Sequence, residues 1–197
     1  MSTPAKINYK MYQGSTFSEV LRWESSTKKY VDITAISKTA PVIITTESHT
    51  IPNNWRVKIT NVLGMKEIND SENYHVVTVL SPTSLELNAV NALAYTSYTS
   101  GGVVEYNEPV DLSVYTARMQ IREKLDSPTV IYELTTENDG IVLNSVDSTI
   151  NLSIPANITE TFTFKKAVYS IELINTNNSS VTTFVQGSIT LYNEVTR

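Results

Sequence analysis

Two histidines are the residues of this sequence best suited to acid–base or metal chemistry. His49 lies in a loop-like stretch, and His75 follows Tyr74 in a strand-like stretch. A metal site or an acid–base pair needs histidine or carboxylate partners at a defined spacing, and neither histidine has such a motif around it. We therefore predict structural roles for both histidines, with no catalytic residue, no metal site and no cofactor.

The densest acidic group consists of Glu67, Asp70 and Glu72. Carboxylates this close can hold a cation, but their spacing matches no calcium-binding loop. We interpret the group as a solvated turn and keep cation binding as the alternative. Lys165 and Lys166, next to two phenylalanines, are interpreted as an exposed basic pair.

Five aromatic residues are candidates for contacts with a ligand or a subunit: Trp23, Trp55, Tyr95, Tyr98 and Tyr106. Tyr and Trp rings stack on sugars, but they also fill cores and anchor interfaces. We rank a core role first, a subunit interface second and sugar binding third. Trp55, Tyr95, Tyr98 and Tyr106 are the candidate interface or glycan contacts.

Composition narrows the class of protein. The 197 residues are 41% hydrophobic and only 18% charged, with a net charge of -5. The negative charge disfavours nucleic-acid binding, and the absence of cysteine excludes disulfides and thiolate metal sites. No run approaches the ~18 apolar residues of a membrane span, and the first residues lack the apolar segment of a secretory signal. We expect neither a nucleic acid nor a membrane as partner.

The elements that carry these residues read as strands. In the stretch 109–122, Ala117, Met119 and Ile121 alternate with polar residues, which is the period of a half-buried strand. Asp139 and Gly140 form the strongest hairpin-turn signal of the sequence, because this pair accepts the positive φ that such turns require. No stretch keeps a helical period over three turns, so the sequence predicts an all-β chain with little helix.

The order of the strands predicts an interrupted domain. Val31-Asp32-Ile33-Thr34 and Val110-Asp111-Leu112-Ser113 are similar strand entries, and about five short strands at regular spacing lie between them. Regularly spaced short strands favour a small barrel or sandwich. We therefore predict a β-domain formed by residues 1–37 and 107–197, interrupted by a small domain formed by residues 38–106.

Four segments of the outer domain share a familiar order: Gly14–Phe17 with Leu21–Trp23, Val110–Arg122, Tyr169–Leu173, and Gln186–Leu191 with Glu194–Arg197. In this order they resemble small tailed-phage structural proteins related to the immunoglobulin-like N-terminal domain of phage baseplate upper proteins. The resemblance implies an all-β fold in which an immunoglobulin-like β-sandwich is interrupted by a small β-barrel-like domain.

The inserted segment resembles a second module. Its segments Pro41–Thr46, Val57–Ile59, Val62–Met65, Tyr74–Val77, Ser84–Leu87 and Tyr98–Gly102 are similar to a β-barrel-like repeat named after ubiquitin-activating enzymes, which recurs in virion proteins. No ubiquitin chemistry is implied, since the segment has no cysteine and no nucleotide loop. The repeat usually has glycine where this chain has Asn53-Asn54, and Asn also tolerates the left-handed conformation.

The resemblance implies a non-enzymatic structural component of a tailed bacteriophage virion. Its place would be the tail, the baseplate or the fibre attachment point, and its partners would be other virion proteins and copies of itself. It would be assembled in the host cytoplasm and reside in the virion. The alternatives are a head-decoration or fibre-anchoring protein and a host-surface carbohydrate-binding module. A hydrolase ranks last, because it needs a convergent acid–base pair and the sequence offers no Ser-His-Asp order or metal signature.

Overall fold

The structure is a computed structural model that describes residues 3–194. Nearly all its regular structure is β-strand, so the all-β prediction is confirmed. The strands in chain order are β1 (Ala5–Lys6), β2 (Tyr9–Tyr12), β3 (Phe17–Leu21), β4 (Glu24–Ile36), β5 (Val42–Thr46), β6 (Arg56–Leu63), β7 (Asp70–Ser81), β8 (Ser84–Leu87), β9 (Ser100–Pro109), β10 (Tyr115–Arg122), β11 (Tyr132–Thr135), β12 (Ile141–Asn144), β13 (Thr149–Ile154), β14 (Lys166–Asn175) and β15 (Val181–Tyr192). Short 3₁₀ helices span Lys66–Ile68 and Leu112–Val114, and a single helical turn, α1, spans Ala156–Thr159.

The chain forms two compact units. One, the split unit, contains the described residues up to Arg22 and from Asp111 onward, and the other, the barrel unit, runs from Trp23 to Val110. These boundaries differ from those placed at residues 37 and 106 from the sequence. The difference lies in β4, whose backbone pairs with β9 and β5 of the barrel unit and so takes Tyr30–Ile33 with it.

The split unit contains a six-stranded sheet in the order β1-β15-β14-β10-β11, with β2 also on β15. The pairs of β10, β11, β14 and β15 are antiparallel, whereas β1 and β2 run parallel to β15. The predicted face of β10 is confirmed, because Ala117, Met119 and Ile121 are buried while Arg118 is exposed. A parallel N-terminal segment was not predicted, since it depends on a partner near the other end of the sequence.

Gly187 of β15 lies against Ile7, which connects β1 to β2. A Cβ at this residue would lie 1.7 Å from the carbonyl oxygen of Ile7, so no larger residue fits beside the N-terminal segment. The hydroxyl of Tyr169 donates to the same carbonyl oxygen at 2.9 Å. The side chain of Asn8 accepts from the Ser188 amide at 3.1 Å. These contacts hold the N-terminal segment on the edge of β15.

A second, three-stranded sheet has the order β12-β13-β3 and packs against the first. Strand β10 contacts β12, β11 contacts β13, and the ring of Tyr9 meets that of Phe17 edge-on at 5.3 Å between centroids. The side chains of Ile150, Leu152 and Ile154 are buried, as their alternation predicts. The split unit is therefore a two-sheet β-sandwich.

The barrel unit is a closed barrel with the strand order β4-β5-β8-β7-β6-β9. Closure leaves no free sheet edge in the barrel wall, so all six strands have two neighbours. Its interior is a core of aliphatic side chains around Trp55 and Met65, both fully buried. The first and last strands pair with each other, with Glu24 opposite Pro109. The chain therefore enters and leaves the barrel at neighbouring points.

No helix among residues 3–194 is long and apolar enough to cross a membrane.

Candidate interaction surfaces

Two of the four candidate contact aromatics lie inside the barrel. Trp55 is 0% exposed and Tyr106 is 4% exposed. The indole Nε1 of Trp55 donates to the carbonyl oxygen of Asn107 at 2.9 Å, and the Tyr106 hydroxyl lies 3.4 Å from the hydroxyl of Thr50. These rings have the core role that the sequence ranked first, and they offer no face to a sugar.

The other two aromatics, Tyr95 and Tyr98, lie on the long connection between β8 and β9. Both are half-buried and pack against the barrel core. The Tyr98 hydroxyl lies within hydrogen-bonding distance of the carbonyl oxygens of Ile33, at 3.1 Å, and Gly101, at 3.0 Å. The structure thus places all four residues in one unit but does not bring them together as an exposed platform.

The acidic residues near 70 are turned toward backbone amides. Glu67 accepts from the amide of Thr96 at 2.9 Å, and this bond is the main cause that lowers the pKa of Glu67. Asp70 accepts from the amides of Asn73, at 2.8 Å, and Glu72, at 2.9 Å. These bonds and the Asn73 side chain lower the pKa of Asp70 to about 2. The carboxylates therefore stabilise turns of the barrel.

Within the part of the chain that the structure describes, no group of three or more His, Asp or Glu side chains is placed to hold a metal ion.

The two histidines differ in their burial and in their hydrogen bonds. His49 is 8% exposed, and its Nδ1 accepts from the amide of Ile51 at 3.3 Å. Burial lowers the pKa of His49, because the charged imidazolium would lose hydration. His75 is half-buried on β7. For neither histidine does an Nε2 partner occur among residues 3–194.

A charged surface on the barrel wall was not identified from the sequence. Arg56 forms a bidentate ion pair with Glu24 at 2.6 Å, while its guanidinium lies 4.5 Å from the ring centre of Tyr74. The ammonium of Lys58 lies 4.7 Å from the same ring. Arg56 and Lys58 alternate with buried residues on β6, which is the one sequence signal that they share a face.

A second unpredicted feature is a pair of exposed tyrosines on the split unit. Tyr12 and Tyr192 are register partners on β2 and β15, and their rings stack at 5.3 Å between centroids. They are 57% and 43% exposed, which is high for large aromatic side chains. Stacked exposed tyrosines are suited to anchoring a protein interface. No local pattern could reveal the pair, because it depends on the parallel register of β2.

The split unit also has a groove of about 550 Å³ beside β11. It is lined partly by Tyr132, Phe162 and Phe164. The ring centroids of Tyr132 and Phe162 lie 6.0 Å apart, and those of Phe162 and Phe164 lie 5.5 Å apart. Phe162 is buried, so little of its ring is exposed to the groove. Lys165 and Lys166 are exposed, in agreement with their interpretation as a surface pair.

Comparison with known families identifies one part of the chain. Residues 39–107 match the family model described as the ubiquitin-activating enzyme E1 FCCH domain. No curated protein matches the chain. The matched residues contain β5 to β8 and most of β9, whereas β4 lies outside the match although it closes the barrel. The match is thus confined to the barrel segment, which is similar to the FCCH domain.

Proposed function

We propose that this protein is a non-enzymatic structural component of a tailed-phage virion, and that it acts by protein–protein assembly. Its proposed place is the tail, the baseplate or the fibre attachment point, and it would be assembled in the host cytoplasm. The observation that carries the proposal is the modular architecture, in which an FCCH-like barrel segment is inserted in the sequence of a β-sandwich. The sequence segments of this sandwich that resemble phage structural proteins suggest the virion as its place.

The proposed mechanism is repetition of modest contacts. A virion component occurs in many symmetry-related copies, so weak contacts sum to a stable assembly. The stacked pair of Tyr12 and Tyr192 supports this mode, because rigid exposed aromatic rings bury large area at low entropic cost. The proposed partners are other virion proteins and copies of the same chain.

A non-enzymatic role is supported by how the titratable side chains are used. Glu67 and Asp70 are bonded to backbone amides, and Nδ1 of His49 accepts from the Ile51 amide. Groups with these partners stabilise local backbone, whereas a catalytic pair must converge on a shared open site.

Head decoration and fibre anchoring are variants of the same proposal, because both depend on protein contacts. The glycan alternative keeps only Tyr95 and Tyr98, since Trp55 and Tyr106 are buried. A glycan array with the wild-type chain and Tyr95→Ala tests it, and no binding to any glycan removes it.

The direct test is mass spectrometry of purified particles of the phage that encodes the chain. The proposal expects the chain at a stoichiometric copy number, and it expects Tyr12→Ala with Tyr192→Ala to reduce incorporation without unfolding the protein. Particles that lack the chain, together with a protein that stays monomeric at high concentration, would refute the proposal.

A further inference from the structure

The six-stranded sheet ends at β11, whose outer edge is already occupied by a side chain. The Thr136 amide donates to Ala117 of β10, so the alternation of an antiparallel strand turns the backbone groups of Glu133 and Thr135 outward. Asn138 accepts from the Thr135 amide at 2.8 Å and donates to the Glu133 carbonyl oxygen at 3.0 Å. Its carboxamide thus replaces the neighbouring strand that this edge would otherwise accept.

Strand β3, at one edge of the other sheet, has no such cover. The Ser153 amide donates to the Gly140 carbonyl oxygen, so the backbone groups of Ser153 face β12. The backbone groups of its two neighbours on β13 therefore face β3. The backbone groups of Glu19 therefore face β13, while those of Ser18 and Val20 point away from it. Among residues 3–194, no strand pairs with β3 on the side to which Ser18 and Val20 point. Both residues are exposed, Val20 by 51%, so this side of β3 is accessible to a partner strand.

The side chains along β3 favour a positively charged binding partner. Glu19 is half-buried and alternates with Phe17 and Leu21 on the inward face of β3. The hydroxyl oxygen of Tyr9, which is 6% exposed, has no hydrogen-bond partner in the described chain, because the Tyr169 hydroxyl donates to a backbone carbonyl instead. Burial first, and the charge of Glu19 in addition, raise the pKa of Tyr9, so its phenol is neutral. The half-buried Glu19 carboxylate can accept hydrogen bonds from a cation that reaches this edge.

We propose that β3 accepts an extended segment of a neighbouring protein as an added strand, and that this segment carries Lys or Arg opposite Glu19. Residues directly opposite on paired strands bring their side chains into contact, so the cation would meet the Glu19 carboxylate. The residues two positions to either side would be apolar, because they face Phe17 and Leu21. The inference rests on the proposed function for the nature of the partner as an assembly component.

A second copy of β3 is disfavoured as the partner. Antiparallel pairing in the register that sets Ser18 opposite Val20 would place Glu19 opposite Glu19 of the other copy. Like charges directly opposite on paired strands are destabilising. The edge therefore selects a segment of opposite charge.

The test uses the full chain and two short synthetic peptides that alternate Thr with Ile around a central Lys or a central Glu. Binding is followed by NMR titration and by hydrogen exchange of the Ser18 and Val20 amides. We expect the Lys peptide to bind about tenfold more tightly than the Glu peptide and to slow both amides. Glu19→Lys should reverse this preference. Equal binding of the two peptides, or amide changes outside β3, would overturn the proposal.

A matched pair of variants at Val20 tests the backbone contribution. Val20→Pro removes an amide that points outward, which an edge strand tolerates, whereas Val20→Thr keeps this amide. We expect Val20→Pro to weaken binding of the Lys peptide by about tenfold and Val20→Thr to leave it unchanged. Equal binding by both variants would contradict strand addition. If Val20→Pro fails to fold, the reversal by Glu19→Lys decides the question.

Incorporation into particles separates this inference from the proposed function. Wild-type chain absent from particles would refute the proposed function and leave the peptide result as it stands. Wild-type and Val20→Pro chains present at equal copy number would refute the edge contact and leave the proposed function standing.

Discussion

The amide of Val110 donates a hydrogen bond to the carbonyl oxygen of Trp23 at 3.0 Å. This bond joins the first and last residues of the barrel unit, so the unit begins and ends at neighbouring points. The unit contains all 69 residues that match the FCCH domain, together with β4. Because the ends meet, the neighbouring residues Arg22 and Asp111 of the sandwich must also be close.

Gly187→Ala should destabilise the split unit by about 2 kcal/mol, because the new Cβ would overlap the Ile7 carbonyl oxygen and push the N-terminal segment off β15. Chemical denaturation measures the change in free energy of unfolding. Gln186→Ala is the matched control, since this neighbouring side chain is exposed and its loss should change stability by less than about 0.5 kcal/mol. Equal effects of the two substitutions would contradict the close approach.

Trp55→Phe should destabilise the protein by about 2 kcal/mol, since it leaves the Asn107 carbonyl oxygen without its donor and creates a void in the barrel core. The free energy of unfolding of the full chain is the quantity to compare. Tyr30→Phe serves as the control, because Tyr30 is 59% exposed on the same unit. A wild-type stability for Trp55→Phe would show that the ring does not serve as a core residue.

His49 should make stability depend on pH just below neutrality. Its pKa is lowered in the folded state from 6.5, so below that pH the unfolded chain binds more protons than the folded chain. The contribution of the neutral imidazole is fully present above pH 6.5 and is lost as the pH falls through the window below it. Protonation of Nδ1 would also break the bond from the Ile51 amide.

His49→Asn tests this dependence, because its Oδ1 can accept from the Ile51 amide without titrating. We expect the stability of the variant to fall less steeply than that of the wild type as the pH falls below 6.5. His75→Asn is the comparison at the other histidine. Parallel pH profiles for wild type and His49→Asn would contradict the assignment.

Local residue patterns correctly predicted strands that bury one face. Met119 and Ile121 alternate with polar residues, and both are buried as expected. The positive φ of Asn54 and Asp139 was likewise indicated by residue type, because Asn and Asp tolerate the left-handed region. These features depend on a residue and its near neighbours, so the sequence contains them.

Features set by distant partners were not predicted. Asp139-Gly140 was expected to form a hairpin, but β11 and β12 lie in different sheets, so that prediction is wrong. The side chain of Asn138 instead hydrogen-bonds to the outer edge of β11, and β12 pairs with β13 in the other sheet. The sequence likewise placed Tyr30–Ile33 in the outer domain, whereas these residues pair with β9 in the barrel unit. Local residue patterns could not identify this partner, since strand pairing is not a local property.

The central claim is that a self-contained barrel is inserted in a sandwich that continues across it. The most direct measurement is the unfolding of a variant in which an Asn-Gly turn replaces the barrel residues between Trp23 and Val110, followed by hydrogen exchange of the Met119 and Ile121 amides. The account predicts a dispersed NMR spectrum, one cooperative transition and strong protection of both amides. A variant with no cooperative transition and rapid exchange at both positions, while the full chain folds, would contradict it.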